Sequence, residues 1–235
     1  EESFLNSHIL SQRLAAVAEF VPRKARLADI GSDHAYLPIF LVTEGKIDYA
    51  IAGEVAQGPL KAASAQIKRY DLEEKITSRL ADGLTAIYPK DQIDTIVIAG
   101  MGGILTESIL TNGQKYGFLK GQRLILQPNN HESDVRYWLA ANHYKIYDEQ
   151  IIEDHGKFYE IIAACYQENN HYTSKELYFG PVLMQKKTAS FKKKWQKKLE
   201  TKQKVLRNLK NAYRVPKDKI EAEKRQMAWI EEVLS

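Results

Sequence analysis

One stretch of the chain decides the fold: Leu27-Ala28-Asp29-Ile30-Gly31-Ser32-Asp33-His34-Ala35-Tyr36-Leu37-Pro38. Its apolar beginning predicts a β-strand over residues 26–30, Gly31 interrupts that strand, and a helix is predicted from Leu37 to Glu44. A strand, a tight turn and the start of a helix together form the place where open α/β sheets bind ligands. We therefore expect the ligand site at the turn after the first strand.

The charge of this turn indicates the kind of ligand. Gly31 has no Cβ, so a ligand can approach the backbone closely, and the carboxylates of Asp29 and Asp33 flank it in the sequence. Two carboxylates repel a pyrophosphate but attract a ligand with positive charge and with hydroxyl or ammonium donors. The turn also lacks the third glycine of the dinucleotide-binding pattern. These features favour S-adenosylmethionine as the cofactor.

The composition is that of an ordinary soluble protein, with 235 residues, of which 44% are hydrophobic and 27% charged. The single cysteine, Cys165, excludes an internal disulfide framework, and the apolar run 161–165 predicts that it is buried. No apolar run approaches the roughly 20 residues that span a bilayer. The acidic start Glu1-Glu2 does not resemble a signal peptide. We expect a cytoplasmic protein without a membrane partner.

The net charge of +4 conceals an uneven distribution. Residues 1–185 carry 18 Lys and Arg against 24 Asp and Glu, whereas residues 186–225 carry 16 against 4. A strongly basic segment attached to an acidic body indicates a polyanionic partner that the segment contacts. The alternative is a solvated, charged helical segment with no partner.

Acidic residues also follow the second and third predicted strands. The second strand, residues 49–54, ends in Glu54, 23 residues beyond the glycine of the first turn. An acid at that position binds a ribose diol in folds of this type. The third strand, residues 76–80, is followed by Asp82 and Gly83. The Asp82 carboxylate either accepts from an adenine amino group or caps the turn beside Gly83, and the spacing favours neither.

The next two predicted strands lead into turns that are rich in glycine or in amides. Strand 93–99 is followed by Gly100-Met101-Gly102-Gly103 and a helix over 104–110, and strand 123–126 by Gln127-Pro128-Asn129 and a helix over 132–141. The ends of parallel strands meet at one edge of a sheet, so these turns belong to the same crevice as the acids.

Helical periodicity dominates both ends of the chain. At the N-terminus it predicts a helix over residues 3–20, on which Arg13 either lies at the surface or faces a substrate groove. At the C-terminus the apolar spacing predicts helices over 188–213 and 220–234. Two such helices joined by a short turn pack antiparallel as a helical hairpin.

The last two predicted strands, 144–152 and 158–166, are close enough in sequence to form an antiparallel pair. Strand–helix alternation that ends in such a pair is the layout of class I methyltransferases. We therefore predict an α/β fold with a Rossmann-like, seven-stranded, mostly parallel sheet and a coiled-coil-like C-terminal helical hairpin. The predicted domains are a catalytic domain, residues 1–178, and the basic hairpin, residues 179–235.

Three long motifs resemble those of a known family along their whole length. They are Asp29-Ile30-Gly31-Ser32-Asp33-His34-Ala35-Tyr36-Leu37-Pro38, Ile98-Ala99-Gly100-Met101-Gly102-Gly103 and Leu124-Ile125-Leu126-Gln127-Pro128-Asn129. They closely resemble the bacterial tRNA adenine-N1 methyltransferases that modify position 22. The resemblance extends to residues 10–14, to residues 154–160 and to the C-terminal hairpin. It implies S-adenosylmethionine as the methyl donor and tRNA as the substrate, with the hairpin helping to hold the tRNA.

The resemblance also assigns residues to roles. The cofactor-binding residues would be Asp29, Gly31, Ser32, Asp33, His34, Glu54, Val55, Asp82, Gly83, Ala99, Gly100, Met101 and Gly102. The residues that act on the adenine would be Tyr36 and Met101 as walls, Gln127 and Asn129 as hydrogen-bond partners, and Asp33 as a charge that stabilises the cationic product. The basic charge of the hairpin predicts Lys192, Lys193, Lys194, Lys197 and Lys198 as tRNA-binding residues, and Arg13 joins them if it faces the substrate groove.

One motif departs from a common pattern in an informative way. Residues 99–102 stand where many amino-methylating enzymes of this class carry Asn/Asp-Pro-Pro-Tyr. An exocyclic amine needs acceptors that release its lone pair, whereas adenine N1 already offers an in-plane lone pair. We expect catalysis without a strong base, through placement of N1 in line with the methyl group.

Two other functions are compatible with the residues alone. One is a methyltransferase for a protein or a small molecule, with the hairpin serving dimerisation, and the other is a non-catalytic RNA-binding adaptor. The spacing of the histidines and Cys165 predicts no metal site. No obligate protein partner is expected.

Overall fold

The structure, a computed structural model, describes residues 10–210 and 217–235. Its strands are β1 Arg26–Ile30, β2 Tyr49–Glu54, β3 Ile76–Leu80, β4 Thr95–Met101, β5 Arg123–Pro128, β6 Tyr144–Asp154 and β7 Lys157–Tyr166. Its helices are α1 Gln12–Phe20, α2 Tyr36–Thr43, α3 Gln57–Arg69, α4 Gly103–Lys115, α5 Glu132–Ala141, α6 Ser174–Phe179, α7 Pro181–Lys186, α8 Ala189–Lys210 and α9 Lys217–Leu234.

The strands form one seven-stranded sheet in the order β3-β2-β1-β4-β5-β7-β6. Strands β1 to β5 run parallel to one another, and β7 pairs antiparallel with both β5 and β6. The chain crosses from one side of the sheet to the other between β1 and β4, and that reversal opens a crevice at the carboxyl ends of the strands. The predicted Rossmann-like fold is confirmed.

The central strands are buried on both faces because apolar side chains cover the two sides of the sheet. Leu27, Val97 and Ile125 point into one core with α1 and α2, and Ile98 and Leu126 point into the other with α4 and α5. Parallel sheets covered by helices need such continuous apolar runs. This core fixes the strand ends in which the polar motifs begin.

Several element boundaries differ from the predicted ones. Strand β4 continues through the glycine motif to Met101, with an irregular register between Ala99 and Met101. Helix α1 begins only at Gln12, because the Ser11 hydroxyl accepts from the backbone N–H of Leu14 and caps it. The predicted helical residues 3–9 lie outside the described residues. Cys165 is half-buried, not buried, since it lies near the exposed end of β7.

The C-terminal helices pack against the antiparallel edge of the sheet. Helices α8 and α9 lie side by side, and their core joins Trp195 and Ile230 to Ile151 of β6. Helix α6 spans the predicted domain boundary at residues 178 and 179, and Phe179 packs on Trp195 with ring centroids 4.5 Å apart. The division into domains stays a prediction. Residues 211–213 of the first predicted hairpin arm lie outside the described residues.

A buried ionic cluster connects these helices to the sheet. Arg136 on α5 donates to Glu149 of β6 at 2.7 Å and to Glu160 of β7 at 2.5 Å. Lys194 on α8 donates to Glu160 at 2.7 Å and to Glu132, the first residue of α5, at 2.5 Å. Burial alone would lower the pKa of Arg136, but the two carboxylates hold that pKa above its usual value. The guanidinium therefore stays charged in the interior.

None of the helices in the described ranges combines the length and the apolar character needed to cross a membrane.

Replacing Arg136 tests the structural role of this cluster. The Arg136→Leu variant leaves the buried carboxylates of Glu149 and Glu160 without their guanidinium, so we expect the free energy of unfolding to fall by about 3–5 kcal/mol in urea denaturation. The control is Lys175→Met, which removes a more exposed pair with Glu232 and should cost less than about 1 kcal/mol. Equal effects of the two substitutions would contradict a structural role for the cluster.

Candidate active site

The turn after β1 is held against the end of β2. The backbone N–H groups of Gly31 and Ser32 both donate to the carbonyl oxygen of Gly53, at 2.9 and 3.3 Å. The next N–H, that of Asp33, donates to the Glu54 carboxylate at 2.5 Å. The first two predicted motifs therefore meet, as the neighbouring strands of the sheet require.

The backbone of this turn adopts left-handed conformations. Gly31 has a φ of +69°, and Asp33, His34 and Ala35 follow with φ of 40°, 61° and 57°. Three successive non-glycine residues in this region are costly, and such strain is concentrated at functional sites. The turn directs the side chains of Asp33 and His34 outward, where the His34 ring stacks on Tyr36 with centroids 5.4 Å apart.

Two carboxylates are buried at the bottom of the crevice. Asp29 is 4% exposed and accepts a hydrogen bond from the Ser32 hydroxyl at 2.6 Å. Glu54 is 5% exposed, and one of its oxygens is occupied by the Asp33 N–H. A buried carboxylate is expensive unless it is paired or hydrogen-bonded. Among residues 10–210 and 217–235, the two acids find only part of the hydrogen bonding that two ionised carboxylates can accept.

The electrostatics of the two acids follow from this burial. Burial raises the pKa of Asp29 to about 7, while the Ser32 hydrogen bond opposes that change, the nearby Glu54 adds to it, and Arg13 opposes it. Burial likewise raises the pKa of Glu54, against the hydrogen bond from Asp33. A cationic ligand at this place would favour the ionised form of both acids.

Two further residues predicted to bind the cofactor, one after β2 and one after β3, lie at the surface. Val55, directly after β2, is 70% exposed, and Asp82 is exposed beyond the end of β3. The Asp82 side chain makes no capping hydrogen bond to the 3-10 turn Gly83–Ala86, although its carbonyl oxygen accepts from the Thr85 hydroxyl at 2.7 Å. The capping interpretation of this carboxylate therefore has no support in the geometry.

Strands β4 and β5 contribute a network centred on the buried side chain of Gln127. Its Oε1 accepts from the Gly100 N–H at 3.0 Å and from Arg13 at 2.6 Å. Its Nε2 donates to the Asn129 side-chain oxygen at 3.2 Å, and the Asn129 Nδ2 donates to the Gly100 carbonyl at 2.7 Å. The amide of Asn129, which is exposed at the strand end, is therefore held in one orientation by Gln127.

Arg13 lies within this network. The sequence left open whether its side chain lies at the surface or faces a substrate groove, and the structure places it against Gln127. Its guanidinium bonds Gln127, lies 5.9 Å from the centre of the Tyr159 ring and contributes to the electrostatics of Asp29. The sequence missed this contact because residues 13 and 127 are 114 positions apart and on different elements.

Met101 and Gly31 bring the two halves of the site into contact. A Cβ atom placed on Gly31 would collide with the Met101 methyl group, so the side chain from β4 lies directly over the turn after β1. The acids of β1 and β2 and the amides of β5 thus border one crevice. Within the described residues, no group of three or more His, Cys, Asp or Glu is placed to hold a metal ion.

The model of the family described as TrmK, tRNA (adenine(22)-N(1))-methyltransferase, matches residues 27–232. The chain belongs to this family.

Several bacterial relatives agree with this assignment. The tRNA (adenine(22)-N(1))-methyltransferase of Bacillus subtilis strain 168 is 41% identical over 213 residues, which cover 88% of this chain and 89% of that protein. A Streptococcus pneumoniae protein solved in complex with S-adenosyl-L-methionine is 42% identical, has a TM-score of 0.88 and covers 97% of this chain and 100% of its own. The TrmK of M. capricolum, solved in complex with S-adenosyl-homocysteine, is 26% identical, has a TM-score of 0.84 and covers 97% of this chain and 98% of its own.

The five lysines predicted to bind tRNA differ in their surroundings. Lys192 and Lys198 are exposed, and Lys193 and Lys197 are exposed beside Glu153, at 2.7 and 4.0 Å. The ammonium of Lys194 instead lies in the buried ionic cluster. This placement gives Lys194 a structural contact, and its role in tRNA binding stays a prediction.

The pKa of Asp29 gives a prediction for stability. Because the folded pKa lies above the ordinary value of 3.8, the folded state without ligand loses stability as the pH rises from about 4 to about 7. Asp29→Asn keeps an acceptor for Ser32 but carries no charge. Its free energy of unfolding at pH 8 should therefore be higher than that of the wild type by a few kcal/mol.

The measurement is urea unfolding of both proteins at several pH values, without cofactor. The difference between them should shrink below pH 7 and vanish only below about pH 3, where the wild-type carboxyl is neutral in both the folded and the unfolded state. An Asn variant that is no more stable than the wild type at pH 8 would contradict the burial of an ionised Asp29.

Proposed function

We propose that this protein transfers the methyl group of S-adenosyl-L-methionine to N1 of adenine 22 in tRNA and produces 1-methyladenosine. Its membership in the family supports the reaction and the substrate. The observation that supports the site is the pair of buried, incompletely hydrogen-bonded carboxylates, Asp29 and Glu54, beside the amide network of Gln127 and Asn129. We also propose that the protein works in the cytoplasm, where its substrate is made.

The residues at the strand ends fit the cofactor by their chemistry. Asp29 and Glu54 are acceptors, and S-adenosyl-L-methionine offers an ammonium group and ribose hydroxyls as donors. The backbone at Gly31 has no Cβ, and Met101 reaches over it to close the crevice. Asp82, exposed beyond β3 with no capping bond, is the acceptor proposed for the adenine amino group of the cofactor.

When bound, the cofactor supplies an electrophilic methyl group on a sulfonium centre. The chain then has to orient the target base and exclude competing geometries. Asn129 is the proposed contact to the base edge, because Gln127 and the Gly100 carbonyl hold its amide in a fixed orientation. Arg13 is a positioning residue. It donates to the side-chain oxygen of Gln127, and Gln127 in turn holds the amide of Asn129. Such preorganisation is the source of rate enhancement when no proton has to be removed from the nucleophile.

The charge that develops on the adenine calls for an acceptor near the crevice. Asp33 has an 83% exposed side chain in the strained turn after β1, and its backbone N–H is held by Glu54. We propose that this carboxylate stabilises the cationic product base. Tyr36, 38% exposed at the start of α2, is the proposed aromatic wall against which the base lies.

The decisive experiment is transfer of a labelled methyl group from S-adenosyl-L-methionine to tRNA, followed by nucleoside analysis and mapping of the modified position. We expect label in 1-methyladenosine at position 22. A tRNA in which adenine 22 is replaced by guanine is the matched control and should accept none. Label in protein or in small molecules would favour the first alternative function, and tRNA binding without transfer would favour the adaptor.

The exposed lysines of α8 are the proposed contacts to the tRNA backbone. Lys198 borders the cleft that also contains Asn129 and Asn130, so a tRNA that reaches the amide network passes beside it. Neutralising Lys192 and Lys198 together should reduce the slope of log affinity against log salt by roughly 1–2, because fewer counterions are released. Binding of unmodified tRNA at several salt concentrations measures that slope.

The matched control neutralises Lys61 and Lys68, which are exposed on α3 at the other side of the sheet. This control should keep the wild-type slope. If the α8 variant also keeps it, the basic arm does not contact the tRNA backbone.

A further inference from the structure

Helix α4 begins with two consecutive exposed apolar side chains. Ile104 is 64% exposed and Leu105 is 53% exposed, both in the first turn of the helix. Single exposed apolar residues are common on protein surfaces and need no explanation. These two are distinguished by being adjacent and by following the Met101-Gly102-Gly103 motif of the crevice.

The first turn of α4 is fixed to the loop that carries the base-orienting amides. The Gly103 N–H donates to the carbonyl oxygen of Asn130 at 3.1 Å and to its side-chain oxygen at 3.2 Å. A Cβ on Gly103 would lie 2.6 Å from the carbonyl oxygens of both Asn130 and His131, so the backbones touch there. The neighbouring Asn129 N–H donates to the Met101 carbonyl at 2.7 Å. Ile104 and Leu105 therefore stand in a rigid position at the rim of the crevice.

The proposed substrate creates a need for apolar groups at this rim. An adenine in a folded tRNA is stacked between its neighbours, and an enzyme that acts on a base has to take it out of the stack at a cost of a few kcal/mol. Proteins that unstack bases commonly insert Ile, Leu, Phe or Met between the steps. Ile104 and Leu105 expose apolar area directly after Gly103, whose N–H is bonded to Asn130, the neighbour of the proposed base contact Asn129.

We propose that Ile104 and Leu105 form an apolar wedge that packs against the nucleotides flanking the target adenine after that adenine has left the stack. This inference rests on the proposed function and extends it. The wedge replaces part of the stacking that the flanking nucleotides lose. The lysines of α8 hold the phosphates, while the wedge favours the open arrangement of the bases.

The test variant is Ile104→Ser/Leu105→Ser, and its matched control is Tyr116→Ser. Tyr116 is also 64% exposed but lies at the opposite end of α4. The three side chains are exposed, so neither variant should change the thermal midpoint or the affinity for S-adenosyl-L-methionine. We expect kcat/KM for folded tRNA to fall by roughly 10- to 100-fold in the wedge variant, the equivalent of the unstacking cost, and to stay unchanged in the control.

A second measurement separates unstacking from a general loss of binding. The tRNA carries 2-aminopurine in place of adenine 22, and its fluorescence rises when the base leaves the stack. At protein concentrations that saturate the tRNA by filter binding, the wild type and Tyr116→Ser should raise the fluorescence and the wedge variant should not.

A fluorescence rise equal to that of the wild type, or an unchanged kcat/KM, would overturn the wedge. Lost stability or lost cofactor affinity in the wedge variant would also overturn it, because the two side chains would then serve the fold or the cofactor site. Failure of the proposed function is distinguishable, because the wild-type protein itself would then form no 1-methyladenosine at position 22.

Discussion

The structure depends on one costly arrangement, a carboxylate buried at the end of the first strand. The sheet order places β1 between β2 and β4, so whatever ends β1 lies at the bottom of the crevice. An apolar residue at position 29 would bury well there, but the chain has Asp29, which accepts a hydrogen bond from the Ser32 hydroxyl. Glu54 adds a second acid beside it. The burial of these acids costs stability, and the cationic cofactor that we propose for this site would account for that cost.

The rest of the fold holds this crevice rigid from both sides. The turn after β1 is tied to β2, and β4 is tied to β5 through Gln127 and Asn129. The loop after β5 leads into α5, whose first residue Glu132 shares Lys194 with Glu160. The loop between Asn129 and Glu132 thus has polar contacts at both of its ends, to the amides of the crevice at one and to α8 at the other. A movement of α8 would shift the start of α5 through the Lys194–Glu132 contact, so the basic helix and the crevice are mechanically connected.

The sequence predicted the strands and the turns after them well, because a buried parallel sheet requires apolar runs and its ligands bind where those runs end. It also predicted that Asp29 and Glu54 would share a site. It did not predict the contact of Arg13 with Gln127 or the burial of Lys194, since both depend on packing between distant elements. Periodicity treats the lysines of α8 alike, whereas the structure separates Lys194 from its exposed neighbours. The short helix α6 was missed, although Thr173 and Glu176 form a capping box that signals it.

The central claim is that Asp29 is a buried acid and that binding of the cationic cofactor drives it into its ionised form. Calorimetric titration of S-adenosyl-L-methionine at pH 7, in two buffers with different ionisation enthalpies, measures the protons exchanged on binding. Because the pKa of Asp29 without ligand is about 7, roughly half of the wild-type molecules carry a proton there that binding should expel. The account predicts that the wild type releases about half a proton more than Asp29→Asn does. The same proton exchange in both proteins would contradict it.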